Sequence, residues 1–168
     1  GGDGADTLVG GNGDDVYLFN TNDVDAGETI TDSGGAADVV AIVTTTDFIN
    51  LPVTSLDDIE QIRFAGSNQT GTFTGAQLTG ETLLLTETAA GTSNLIINVG
   101  SGTTATFANM TAGSGFTSRS DTVTINGATG NENITGPNLV TTINGDSGDD
   151  TIVAGTQNDT IDGGDGID

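Results

Sequence analysis

Aspartates stand nine residues apart at Asp150, Asp159 and Asp168, and again at Asp6 and Asp15. All but Asp159 close a Gly-rich run: "GGDGAD", "GGNGDD", "GDSGDD" and "GGDGID". A carboxylate offers hard anionic oxygens, and glycine lets a turn enter φ > 0 so that successive backbone carbonyls can converge. Donors of these two kinds suit a hard divalent cation. The chain carries little other chemistry. It has no Cys, no His and no Lys, and its two cationic side chains are Arg63 and Arg119. That removes the usual N/S zinc sites, Ser-His and Cys-His nucleophiles, imidazole acid/base work and Schiff-base chemistry.

Charge points the same way. Against 2 Lys+Arg stand 24 Asp+Glu, a formal net charge of -22. No cationic surface is available for a phosphate backbone, so nucleic acid is not an expected partner. The same charge opposes anionic lipid surfaces and, without bound cations, any compact state. No stretch approaches the roughly 18 consecutive apolar residues of a membrane span, so no membrane insertion is expected and the chain should be soluble. It starts at "GGDGAD" and reads as a piece of something longer.

The elements that must position the acids come from a repeat. From residue 118 the sequence runs in nines: "SRSDTVTIN", "GATGNENIT", "GPNLVTTIN", "GDSGDDTIV", "AGTQNDTID". The eighth position is Ile125, Ile134, Ile143, Ile152 and Ile161, and "GGDGADTLV" and "GGNGDDVYL" place Leu8 and Tyr17 there. Such a unit is too short to fold alone, and its Gly-rich half cannot be helix. A turn of about six residues followed by a strand of about three fits, with the middle strand residue pointing in. Two units then make a coil of about 18 residues, Ile125, Ile143 and Ile161 stacking on one sheet and Ile134 and Ile152 on the other. With 27 Gly and 4% aromatics the interior must be built from many small contacts. The runs "DVVAIV" (38–43), "IEQIRF" (59–64), "TLLLTE" (82–87) and "NLIINV" (94–99) read as buried parallel strands in less regular coils. No helix is expected.

The unit G-G-x-G-x-D-x-U-x, with U apolar, is matched in full by "GGDGADTLV" and "GGNGDDVYL" and nearly so by "GDSGDDTIV". In these segments the chain resembles the RTX (repeats-in-toxin) family of secreted bacterial proteins. The resemblance implies an all-β, right-handed parallel β-solenoid, with RTX β-roll at both ends and calcium-poor coils between. One continuous solenoid would comprise repeats at 1–18, acidic transition coils at 19–60, neutral Thr/Gly-rich coils at 61–120 and repeats at 121–168. It also implies several Ca2+ ions, each lying between turns two units apart. Asp150 and Asp168 with the carbonyls of Gly148 and Gly166 then form the best site. Glu132 stands in for Asp in the turn before, and must reach from a longer side chain. Asp159 faces Pro137, Leu139 and Thr141, a side expected to be weak or empty. At the other end Gly2, Gly4 and Asp6, and Gly11, Gly13 and Asp15, need partner turns two units on, near Asp23 and Asp25 and near Asp32 and Asp38. Asp3, Asp146, Asp149, Asp162 and Asp165 are expected to be solvated.

Without calcium such acidic, Gly-rich ends cannot offset chain entropy, and with it folding and site formation become one event. The expected function is therefore that of a calcium-folded structural or adhesive segment of a secreted or cell-surface bacterial protein, of surface-layer or adhesin type. Its partners would be calcium, its own copies or cell-surface polysaccharide, and the resemblance implies type I export. No enzymatic activity is expected. The alternative is a polysaccharide-binding or polysaccharide-modifying accessory module, for which Asp57, Asp58, Glu60 and Arg63 are the catalytic candidates. A third reading, ice binding, rests on Thr70, Thr88, Thr106, Thr124, Thr142 and Thr160, each two units from the next, with Thr86, Thr104 and Thr122 alongside.

Overall fold

The computed structural model describes residues 1–117 and 120–168. Ser118 and Arg119, which open the first unit of the C-terminal register, lie outside the described residues. Every strand pairing is parallel, and the chain winds as a β-solenoid. In the N-terminal coils β1 (Thr7–Val9) pairs with β3 (Thr29–Thr31), and β2 (Val16–Phe19) pairs with β4 (Val39–Ile42). The middle is three-sided. One sheet runs β2-β4-β6-β8-β11, adding Gln61–Phe64, Leu84–Glu87 and Thr111–Ala112 as β6, β8 and β11. The second sheet stacks β5 (Thr46–Asp47), β7 (Thr70–Thr74), β9 (Asn94–Asn98), β12 (Thr122–Asn126), β14 (Thr141–Asn144) and β16 (Thr160–Asp162). The third side is β10 (Thr104–Thr106), β13 (Asn133–Thr135) and β15 (Thr151–Val153), continued by short helical turns at Val53–Leu56 and Gly75–Leu78. No helix of the described residues is long and apolar enough to cross a membrane.

The C-terminal register is that of the repeat reading. Ile125, Ile143 and Ile161 are in register on one sheet, and Ile134 and Ile152 on the other. Ile125, Ile134 and Ile143 are buried, whereas Ile161, on the last strand of its sheet, is exposed. The four apolar runs of the middle form β4, β6, β8 and β9.

Two expectations fail. A helical turn does form at Gly75–Leu78, because Thr74 and Gln77 make a reciprocal capping box. The Gln77 side chain is buried, where its amide also donates to the carbonyls of Phe48 and Leu51. The threonine ladder is broken because the middle coils are longer than two units: β7 pairs with β9 through Thr70 and Asn94, and β9 with β12 through Asn94 and Thr122. Only Thr124, Thr142 and Thr160 remain in register, and Thr106 pairs with Thr135 on a different sheet. The outward row is Thr72, Ile96, Thr124, Thr142 and Thr160, beside a ladder in which Asn126 donates to Asn98 and Asn144 to Asn126.

Aromatics fill the interior where the coils are wide. Phe48 stacks on Phe73 at 4.5 Å and meets Phe19 edge-on at 5.2 Å, and Phe64 stacks on Phe116 at 5.7 Å. With Leu78, Leu85, Leu95 and Phe107, all fully buried, they give the middle a core of large side chains. The C-terminal coils have stacked isoleucines with Val123, and Leu139 and Ala154 partly buried against them.

Candidate metal centres

Many coils are clamped to the next by an acid that, Asp168 aside, sits two residues before an apolar residue of an inward row. In the C-terminal repeats the Glu132 N–H donates to Asp150 Oδ1 (2.8 Å), the Asp150 N–H to Asp168 Oδ1 (2.9 Å) and the Thr141 N–H to Asp159 Oδ1 (3.0 Å). The N-terminal coils repeat the arrangement: Asp15 N–H donates to Asp38 (2.7 Å), Asp6 N–H to Glu28 (2.9 Å) and Asp38 N–H to Glu60 (2.8 Å). In the middle Ser93 N–H donates to Asp121 (2.9 Å). The preceding residue, where acidic, clamps the opposite way, Asp149 accepting from Ile167 N–H and Asp14 from Ala36 N–H.

In Glu28, Asp150 and Asp159 one oxygen is used by the clamp and the other is left over, whereas both oxygens of Asp121 are engaged, the second by Thr117 N–H and Ser120 Oγ. Among the described residues, the buried side-chain polar atoms without a hydrogen-bond partner are Asp15 Oδ2, Glu28 Oε1, Asp150 Oδ2 and Asp159 Oδ2. Those of Glu28, Asp150 and Asp159 are the second oxygens of clamping carboxylates, and Asp15 enters the clamps through its N–H. A buried carboxylate oxygen with no donor costs several kcal/mol, so four of them, three with one geometry, point to a positive charge between the coils. The surroundings fit. A Cβ on Gly145 would fall against both Asp150 Oδ2 and the Gly163 carbonyl, and a Cβ on Gly163 against Asp168 Oδ2. The glycines therefore keep open a cradle lined by a carboxylate and a carbonyl of the next coil.

The turns that bend around these cradles need left-handed backbone. Gly2, Gly4, Gly11, Gly13, Gly148, Gly164 and Gly166 have φ between +93° and +159°. Asp146, in place of the missing second Gly of its unit, adopts φ +80°.

A family comparison agrees in position: the RTX calcium-binding nonapeptide repeat matches in four copies, over residues 1–19 and 141–168. Both ends of the chain carry RTX calcium-binding repeats. No curated protein and no solved structure matched the chain.

Calcium is a hard cation of high coordination number. In the C-terminal RTX repeats Asp150 and Asp168 would hold it with main-chain carbonyls. Gly148 and Gly166 lie at the stacked outer bends, a Cβ on Gly166 meeting the Gly148 carbonyl, while Gly145 and Gly163, which the sequence did not single out, line the cradle itself. Glu132 does reach, but backwards: its carboxylate accepts Gly102 N–H (2.6 Å) and Ala128 N–H (3.0 Å). Asp159, although its opposing turn lacks acids, has a buried spare oxygen of its own.

At the N-terminal end the clamping acids lie 22 and 23 residues on, farther than two units, because the coils carry extra loop at 20–28 and 32–38. Asp23 is consequently not brought to the repeat acids. It closes the turn 20–23 by accepting from Asn20 N–H (2.7 Å), Asn22 standing there at φ +70°. Asp25 instead accepts Gly4 N–H (2.8 Å). The second repeat gathers most: oxygens of Asp15, Asp32 and Asp38 lie within 4.8 Å of one another. The Tyr17 hydroxyl donates to Asp32 Oδ2 (2.5 Å). Burial, then this hydrogen bond, raises the Tyr17 pKa far above that of a free phenol. Burial works against the Asp32 carboxylate, but hydrogen bonds from Tyr17, Ser33 and Gly34 outweigh it and hold its pKa below the ordinary value.

Tyr17 is the single tyrosine of a chain without Trp, so it reports on this site alone. Terbium(III), a calcium-like ion, is expected to luminesce when the tyrosine is excited, and calcium to displace it. The emission should vanish in Tyr17→Phe; emission that survives the substitution would place the ion elsewhere.

Glu28, Asp38, Glu60 and Asp121 lie outside the matched repeats, yet each has the acid-x-apolar form of "DTI" at 150–152: "ETI", "DVV", "EQI" and "DTV". That triad was the available signal. The catalytic candidates are otherwise placed. Glu60 is engaged by Asp38 N–H, Arg63 lies on β6 in register with Ala41 and Thr86, and Asp57 and Asp58 are exposed. Burial, then repulsion from Asp57 and Asp58, raises the pKa of nearby Glu81.

Proposed function

We propose that the chain is a calcium-folded structural or adhesive segment of a secreted or cell-surface bacterial protein. The observation that carries this reading is the set of buried spare carboxylate oxygens: those of Asp15, Asp150 and Asp159 lie in the RTX repeats at the two ends, and those of Asp15 and Asp150, with Glu28 beyond the repeats, line cradles that glycine keeps open. RTX repeats typify type I-secreted extracellular bacterial proteins, and extracellular calcium modules work at about 0.1 to 1 mM, far above a calcium-poor cytoplasm. The ends would stay loose before export and set outside. The acids are engaged by main-chain N–H groups, as in a scaffold, which favours a non-enzymatic role. Self-association or contact with cell-surface polysaccharide would be made on the β5–β16 sheet, whose outward rows of Thr and Asn run from the neutral middle into the C-terminal repeats and offer uncharged hydroxyls and amides.

The test is a calcium titration of the metal-free chain, followed by far-UV circular dichroism and small-angle X-ray scattering, with magnesium as control. A cooperative gain of β signal and a fall in radius of gyration near millimolar calcium, absent with magnesium, is expected. Identical profiles in calcium and chelator would contradict the reading.

A further inference from the structure

Glu28 stands outside the matched repeats and outside the nonapeptide pattern, in "VDAGETI" between β2 and β3. It is 0% exposed, a position that a carboxylate occupies only with compensation. One oxygen accepts the Asp6 N–H at 2.9 Å, while Oε1 is buried without a partner. A Cβ on Gly1 would come to 2.8 Å from both Glu28 Oε1 and Asp6 Oδ2, so the two free oxygens face the same small space beside a glycine. Asp25, just upstream, holds the Gly4 N–H at 2.8 Å and fixes the turn that presents Glu28.

We propose that Glu28 and Asp6 hold a further calcium ion, in a seat that joins the first repeat to the non-repeat coil following it. The motif supplies only half of this seat. Its other half comes from a lengthened coil that sets Glu28 22 residues beyond Asp6, and the longer Glu side chain spans from the strand start to the repeat turn. Calcium binding would therefore extend past the recognisable repeats and tie the N-terminal turns to the aromatic core of the middle. The inference rests on the calcium reading of the repeats, and the experiment separates the two.

Bound calcium per chain is counted by equilibrium dialysis and elemental analysis, for the 168-residue chain and for Glu28→Gln. The amide preserves an acceptor for the Asp6 N–H and removes the charge. The expected result is one ion fewer in the variant, with the C-terminal ions retained. An unchanged count overturns this seat alone, and an unaltered chain that binds no calcium overturns both this seat and the calcium reading. Should Glu28→Gln not fold, carbon-detected NMR of the unaltered chain decides. The Glu28 side-chain carboxyl signal must shift on calcium saturation and not with magnesium, and a signal indifferent to calcium overturns the seat.

Discussion

Asp150→Asn is expected to destabilise the C-terminal coils in saturating calcium and to stabilise them in chelator. Asp150 is 4% exposed, with Oδ1 on the Glu132 N–H and Oδ2 unpartnered. Asparagine keeps an acceptor for the clamp and deletes the charge. At calcium a hundredfold above the dissociation constant, one site contributes about 2.7 kcal/mol to the folded state, and loss of the site removes it. In chelator the same carboxylate is a buried charge with one oxygen unsatisfied, and neutralising it should gain about 1 to 3 kcal/mol. The opening free energy from hydrogen exchange at the amides of Glu132, which donates to Asp150, and of Ile134 on the strand that follows measures both arms. An effect of one sign in both conditions would mean that Asp150 is an ordinary capping residue and holds no ion.

Phe73→Ala is expected to cost about 3 to 5 kcal/mol, the range for emptying a fully buried aromatic position. The loss should be the same in calcium and in chelator. Phe73 lies flat on Phe48, which meets Phe19, so truncation opens a void at the centre of this aromatic cluster, on a strand that carries none of the spare carboxylate oxygens. Urea denaturation with and without calcium gives the comparison. A cost that disappears in chelator would show that the aromatic core does not stand without the ions.

The two substitutions divide the molecule as its sequence does, though the sequence shows only one half clearly. In the C-terminal repeats, coils of two units have two faces and nothing inserted, so the repeat period fixes register, inward residues and clamp acids together. β4, β6, β8 and β9 were legible because β-branched and Leu runs have no alternative in a helix-poor chain. β7, "TGTFT", was not: its single large residue, Phe73, carries the core, and Gly71 is small because the Ile42 side chain packs against it. Nor could the threonine period survive coils of varying length, since one inserted loop shifts every later residue against its neighbour. Asp25, Asp32 and Asp38 were legible as partners of the N-terminal repeats, but Glu28 was missed for the same reason. The repeats at 1–18 suggest a two-unit coil, but the loop ending at Glu28 lengthens it, and only the acid-x-apolar triad betrays where the clamp resumes. Low aromatic content also misled, because six Phe suffice when three of them meet in one cluster and two more stack as a pair.

The central claim is that calcium holds the repeat ends while the apolar core holds the middle. Residue-resolved hydrogen exchange on the unaltered chain, in millimolar calcium and again in chelator, tests it most directly. In calcium, amides of β1, β15 and β16 should be protected along with those of β6, β7 and β9. In chelator the first group should exchange within the dead time while Ile62, Phe73 and Leu95 stay protected. Equal protection of the ends in both conditions, or loss of the middle together with the ends, would contradict it.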